Sequence, residues 1–297
     1  MRIVYTDKYE LDLGAHIWPT AKYRLVAERL LASGVVSPDA FVEPATCSWD
    51  DLALVHSEAY LGNIRSLELS DAERDALELP LSTLLVERFR LMVGGTCAAA
   101  AFALEDGRAV HLGGGLHHAF PGHGEGFCLF NDVAVAIRRL TRGARRRVTR
   151  TAVVDCDVHH GNGTAMIFEA DAAVFTFSIH QQHNYPLFKP RSTLDIGLED
   201  GAKDDVYLER LRPALKQVMQ SGPEMVFYLA GADPFRDDRL GGLALSHEGL
   251  RERDREVFAA AHRIGVPITV VLAGGYAADV DDTVTAHVNT VTELLAF

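Results

Sequence analysis

The sequence predicts an α/β fold on a central, mainly parallel sheet, and two observations carry that reading. Short β-branched apolar runs recur along the chain, and longer segments with helical character separate them. Strands covered by helices on both faces read as near-continuous apolar runs, so this alternation points to parallel pairing through helical crossovers. In order, RIVYT at 2–6 is the first expected strand, and 18–33 and 71–102 are the first expected helices. Strands follow at 109–112, at 151–157 after a basic turn, and at 173–180. A helix at 201–220 leads into the strand at 225–233. Ser246, with Glu248 and Gly249 beyond it, suits the N-terminal cap of a helix over 246–265. Gly265, Val266 and Pro267 end that helix and open the strand 267–275, and 279–295 forms the last helix.

With 297 residues, 48% of them hydrophobic, the chain is long enough to bury a substantial core, which excludes a mainly disordered protein. No repeat and no Pro- or Ser-rich linker divides it, so 1–297 reads as a single domain. The 29 basic residues against 41 acidic ones give a net charge of −12, which disfavours binding to a phosphate backbone. The run 138–150 holds seven arginines but no aromatic residue for stacking on bases, so it reads as a solvated helix end and turn. No nucleic-acid partner is expected. Four scattered cysteines read as reduced thiols rather than a disulfide scaffold. The first residues lack a signal-peptide core and no apolar stretch reaches membrane-spanning length, so the expectation is a cytoplasmic protein with no membrane partner.

Ligands of open parallel sheets bind beyond the carboxyl ends of the strands, and those ends are rich in metal-binding residue types here. The strand at 151 runs into Asp155, Asp157 and His159, which a period of two places on one side. Two carboxylates and an imidazole together there would repel or stay unsatisfied without a cation. Asp233, at the end of the strand at 225, reads alone as a cap or turn residue, but beside Asp157 and His159 it makes a third ligand. Three protein ligands and an open fourth position describe a catalytic zinc site. His117 and His118 follow three glycines after the strand at 109 and form a candidate acid/base pair, and Tyr276 follows Gly274 and Gly275 as a candidate oxyanion donor.

Together these segments resemble the zinc-dependent histone deacetylase family. The motifs are GGLHHA at 114–119, GFCLFND at 126–132, DCDVHHGNG at 155–163, 178–180, GADP at 231–234 and GGY at 274–276. Their order matches, and the resemblance begins with 16–24 and 56–61 and covers nearly the whole chain. It implies a three-layer arginase/deacetylase fold and one catalytic Zn2+ on Asp157, His159 and Asp233. It further implies that His118 transfers protons, that His117 is its electrostatic partner, and that Asp155 orients His117 while Asn162 orients His118. Many family members carry an aspartate at the position of Asn162, and an amide cannot raise imidazole basicity as a carboxylate does. Tyr276 would stabilise the oxyanion. Gly126, Phe127, Tyr185 and Leu240 would line the substrate channel, with Tyr185 standing where a second phenylalanine is common. K+ on Asp155, Ser178 and backbone carbonyls is a secondary expectation, and Cys128 and Cys156 read as packing residues.

The function this implies is removal of acyl groups from acyl-lysine side chains of peptides or proteins by a metal-activated water. Three rivals are an acetylpolyamine deacetylase, an arginase-like binuclear hydrolase and a catalytically silent acyl-lysine binding protein. The channel residues are expected to give an apolar passage with no second site for a distant ammonium, although Asp237 or Asp238 could stand near its rim.

Overall fold

A computed structural model describes residues 1–142 and 148–297. The described strands are β1 (Arg2–Val4), β2 (Phe41–Val42), β3 (Arg108–His111), β4 (Thr151–Asp155), β5 (Val174–Gln181), β6 (Leu194–Leu198), β7 (Met225–Leu229) and β8 (Ile268–Val271). They form one sheet in the order β2-β1-β3-β8-β7-β4-β5-β6, and every pairing is parallel. The described helices are α1 (Lys22–Ala32), α2 (Trp49–Leu52), α3 (Glu58–Ser66), α4 (Asp71–Leu77), α5 (Thr83–Asp106), α6 (Asp132–Arg142), α7 (Asn162–Phe168), α8 (Asp204–Gln220), α9 (His247–Arg263) and α10 (Val280–Ala296).

Successive strand residues point to opposite faces, and the core divides accordingly. Val226 and Tyr228 pack with α1, α8, α9 and α10 on one face. Phe227 and Leu229 pack with α3, α4, α5 and α6 on the other. The result is the expected arrangement of helices on both sides of a parallel sheet. Among the described residues no helix is long and apolar enough to cross a membrane.

Several sequence expectations need correction. The expected helix 71–102 is two: α4 ends at Leu77, Glu78 takes a left-handed conformation (φ 58°), and Ser82 caps the start of α5. Pro80, which cannot continue a helix, lies between them. The strands expected at 151–157, 225–233 and 267–275 stop at Asp155, Leu229 and Val271. Their last residues instead form irregular exits, tied across the sheet by Cys156 N to Leu229 O (3.1 Å) and Ala230 N to Val271 O (2.9 Å). The edge strands β2 and β6 and the helices α2, α3 and α7 go beyond the sequence expectation, and of α6 only the end near 138–142 is expected. Of the arginine run, 143–147 lie outside the described residues; Arg138 pairs with Asp171 and sits over the Phe168 ring, and Arg139 lies 3.5 Å from Asp51.

Beneath the exits of β4 and β7 lies a buried guanidinium. Arg253, 1% exposed, donates to Gly231 O at 2.6 Å and binds Asp254 Oδ1 through Nε and Nη2 at 2.9 and 2.8 Å. Asp254 also accepts from Tyr228 and, at 2.6 Å, from Thr290. Removing one member of such a buried pair leaves an uncompensated charge and typically costs ~3–5 kcal/mol. Arg253→Met is therefore expected to lower unfolding free energy by about that amount in urea titration; a loss below about 1 kcal/mol would mean that Asp254 is adequately served without it.

Candidate active site

Four neighbouring strands at the middle of the sheet, β3, β8, β7 and β4, deliver the site from their carboxyl ends. The β3 exit is a glycine turn in which Gly114 and Gly115 have φ of 75° and 76°. A Cβ on Gly115 would stand 2.6 Å from Ala273 Cα, so glycine is what lets this turn pack against the β8 exit. The turn is braced from below by buried Asp132, which accepts from Gly115 N (3.0 Å), Leu116 N (2.7 Å) and Thr96 Oγ1 (2.5 Å). His117 and His118 emerge from it with ring centroids 4.0 Å apart.

Past β4, Asp155, Asp157 and His159 are all buried. Asp155 Oδ2 lies 2.7 Å from His117 Nδ1, and its Oδ1 accepts from Asp157 N at 3.1 Å. Asp157 Oδ1 lies 3.0 Å from His159 Nδ1, and its Oδ2 accepts from Gly274 N at 2.8 Å. Past β7, Asp233 Oδ1 accepts from Val158 N at 2.9 Å, while buried Oδ2 has no hydrogen-bond partner and stands 3.4 Å from His159 Nδ1. One donor atom each from Asp157, His159 and Asp233 lies within 4.8 Å of the other two. Burial pushes Asp233 up to about 7, with the Asp157 charge adding to it. Burial opposes the His159 cation, but Asp157 and Asp233 outweigh it and raise the imidazole to about 10. The cluster thus demands positive charge, and an orphaned carboxylate oxygen beside an imidazole nitrogen fits a divalent cation well.

The two histidines of the pair differ electrostatically. Burial lowers His117, yet Asp155 and Asp157 outweigh it and raise it to about 9. His118 stays well below its usual value because burial acts with the neighbouring His117 and His159 charges. Its Nδ1 lies 2.7 Å from Asn162 Oδ1, at the start of α7. The amide therefore does contact His118 where the sequence expected it, and the ring is held neutral.

From the β8 exit, Tyr276 N donates to Asp238 Oδ2 at 2.6 Å, and its ring centroid is 6.0 Å from that of Phe127. The Lys22 ammonium, fully buried, donates to Ala273 O at 2.9 Å and holds the same turn from the α1 side. A cavity of about 180 Å3 above the site is lined by Gly126, Phe127, Tyr185, Leu240 and Tyr276, together with His118, His159, Asn184 and Glu78. It is not the apolar passage expected, because Glu78 and Asn184 are among the residues of its wall. The Tyr185 ring stands 5.0 Å from His118, and its hydroxyl donates to Glu125 at 2.9 Å. Asp238 is no free rim charge, since Leu240 N (2.8 Å), Gly241 N (2.9 Å) and Tyr276 N all occupy it; Asp237 is exposed beside Arg236.

Every sequence-expected site residue converges here. The parts of Glu78, Glu125, Asp132 and Lys22, and the backbone-bonded role of Asp238 in place of a free rim charge, depend on distant packing; of these residues, Lys22 and Asp132 fall inside segments that carry the family resemblance. Asp155 and Ser178 are register partners across β4 and β5, although Ser178 Oγ lies 2.9 Å from His180 Nδ1. Buried Cys128 and Cys156 belong to the two apolar cores.

A parallel sheet with this constellation at its central strand ends is the architecture of an arginase/deacetylase-type hydrolase. The sequence profile of the histone deacetylase domain matches residues 16–291, and the chain belongs to the histone deacetylase family, whose members are hydrolases that generally depend on a metal. An uncharacterized protein of Picosynechococcus sp. is 42% identical over 96% of this chain and 95% of its own length. Histone deacetylase 2 of Arabidopsis thaliana is 33% identical over 92% of this chain and 74% of that protein, and a probable deacetylase of Methanothermobacter thermautotrophicus is 34% identical over 93% and 86%. In fold, the chain superposes on a histone deacetylase homologue complexed with SAHA with a TM-score of 0.84 at 22% identity, covering 100% of this chain and 84% of that one.

A Cβ at position 274 would lie 1.9 Å from Asp233 Oδ2 and 2.5 Å from Asp157 Oδ2. Gly274→Ala is accordingly expected to displace both carboxylates and abolish uptake of a divalent cation while far-ultraviolet circular dichroism stays unchanged. Stoichiometric uptake by the folded variant would show that these carboxylates do not hold the ion.

Proposed function

We propose that residues 1–297 act as one zinc-dependent amidohydrolase domain that removes acyl groups from acylated lysine side chains. The observation that carries this reading is that the neutral His118, His159 and Tyr276 line one cavity, with Asp157 and Asp233 grouped against His159 behind it. Asp157, His159 and Asp233 would hold the ion. A divalent zinc there supplies Lewis-acid polarisation of the amide carbonyl and of a water. His118, neutral and bonded at Nδ1 by Asn162, accepts the proton of the attacking water and returns it to the leaving amine. His117, held toward its charged form by Asp155 and Asp157, keeps positive charge beside the developing oxyanion. Tyr276, kept protonated by burial, donates to that oxyanion. Phe127, Tyr185 and Leu240 exclude water from the aliphatic stem of the substrate. K+ bound near Asp155 and Ser178 is part of the same proposal. The binuclear alternative needs further ligands beside the same ion, whereas the other group of ligand-type residues among those described, His160, His180 and Asp195, shares no member with Asp157, His159 and Asp233.

Tyr276→Phe should leave KM nearly unchanged and lower kcat by about 10²–10³-fold, because its donor acts on charge that appears only in the transition state. A raised KM at unchanged kcat would make Tyr276 a substrate-binding group instead.

A second reading, deacetylation of acylated polyamines, is favoured by Glu78 in the cavity wall, where it offers a carboxyl group to a second ammonium. The comparison that tests both is kcat/KM for an acetyl-lysine peptide and for N-acetylputrescine on enzyme of defined metal content. The peptide is expected to be preferred. A polyamine advantage of tenfold, about 1.4 kcal/mol, that disappears in Glu78→Gln would establish the second reading.

A further inference from the structure

Asn162 stands between His118 and an acidic side chain, Glu125. Its Oδ1 lies 2.7 Å from His118 Nδ1, and its Nδ2 donates to Glu125 Oε1 at 2.7 Å. The same Glu125 oxygen accepts from Tyr185 OH at 2.9 Å, and Oε2 lies 3.3 Å from His123 Nε2. Asn162 is 1% exposed, so water cannot easily replace either partner. Glu125 itself is pinned by reciprocal backbone bonds with Cys128, 3.1 and 2.9 Å, across the turn that carries Phe127. Burial opposes its ionisation, but its bonds to His123, Asn162 and Tyr185 hold the carboxyl below its ordinary range.

A side-chain amide is two-ended, and its ends make opposite demands on an imidazole. The carbonyl oxygen requires a hydrogen on Nδ1, whereas the NH2 group requires a bare Nδ1 and so places the hydrogen on Nε2. Asn162 alone has no reason to present one end rather than the other. A carboxylate, by contrast, can only accept. Facing Glu125, the amide must turn its NH2 outward and its oxygen toward His118, and the remaining lone pair of the neutral ring is then on Nε2.

We propose that Glu125 is a positioning residue for His118: by fixing the orientation of the Asn162 amide, it selects the imidazole tautomer that can accept a proton. The proposal rests on the reading of His118 as the proton acceptor. It explains how this chain manages with an amide at position 162. The directional information that a directly bonded carboxylate would give is relayed through the amide, while the charge itself stands one side chain further from the ring.

The test is a cycle of Glu125→Ala, Asn162→Asp and the double variant, read by kcat and by 15N-detected tautomer state of His118 in metal-loaded protein without substrate, assigned through the signal lost in His118→Ala. Glu125→Ala should convert a substantial part of His118 to the Nε2–H form and lower kcat at least about tenfold with little change in KM; a wrongly held tautomer in a catalytic histidine can cost as much as ~10⁴. Asn162→Asp alone sets two carboxylates against each other and should also lower kcat. In the Glu125→Ala background the same change should restore activity, because aspartate has no donor end to misplace. This reversal of sign is something a purely structural role for Glu125 would not produce. Glu125→Gln, which keeps the volume, should give a mixed tautomer and an intermediate loss, and it decides the matter if the alanine variant does not fold. An unchanged Nδ1–H tautomer in both Glu125 variants, or failure of Asn162→Asp to restore kcat, would overturn the proposal. A wild-type protein without activity on any acyl amide would defeat the functional reading alone, since the tautomer measurement needs no turnover.

Discussion

Two buried carboxylates held against one imidazole are the constraint on which the rest of this molecule depends. Asp157 and Asp233 approach the same ring nitrogen of His159, Nδ1, in a region that water scarcely reaches. Like charges so placed repel, and removing each from water adds to the cost. The fold meets that cost with main-chain donors: Val158, His159 and Gly274 each direct an N–H at one of the two carboxylates. These donors come from the exits of β4 and β8, so the central strands must be in register before the cluster can exist. The glycines at 115 and 274 serve the same end by letting backbone come closer than a side chain would permit.

Around this centre the charge is graded. His117, beside Asp155, is drawn toward its cationic form, whereas His118, facing a neutral amide between two other imidazoles, is held neutral. Two adjacent residues of the same type thereby acquire opposite tendencies at one pH, which is the condition for dividing electrostatic and proton-transfer work between them. Burial opposes charge on both rings; at His117 the Asp155 and Asp157 carboxylates outweigh it, whereas at His118 the charges of His117 and His159 add to it and the Asn162 bond opposes them without prevailing.

Much of this was legible in the sequence, for a physical reason. Residues that must leave a strand end in a fixed order carry a local signature, and the runs ending in Asp155, Asp157, His159, Asp233 and Tyr276 have it. Strand and helix existence followed from apolar runs in the same way. What was hidden depended on contacts between distant segments. Glu78 reads as part of a long helix, yet its left-handed conformation ends α4 there and sets the residue in the cavity wall. Glu125 precedes a recognisable motif but gains meaning only beside Asn162 and Tyr185. Edge strand β6 has the alternating, half-exposed pattern Leu-Asp-Ile-Gly-Leu, which is weaker than the continuous apolar runs of the interior. Strand ends were overestimated because an apolar run continues past the last ladder bond into the irregular exits.

The strand order has a consequence for how the protein is made. β8 enters between β3 and β7, and in chain order it is the last of the described strands. Until it arrives, β3 and β7 each have one side without their native neighbour, and such edges invite pairing with other chains. The nascent protein therefore passes through a stage in which every described strand but β8 is present and the middle of the sheet is open. Substitutions in β8 should weigh more on the yield of folded protein than their effect on equilibrium stability would suggest, and the site, which needs the exits on both sides of that gap, assembles only when it closes.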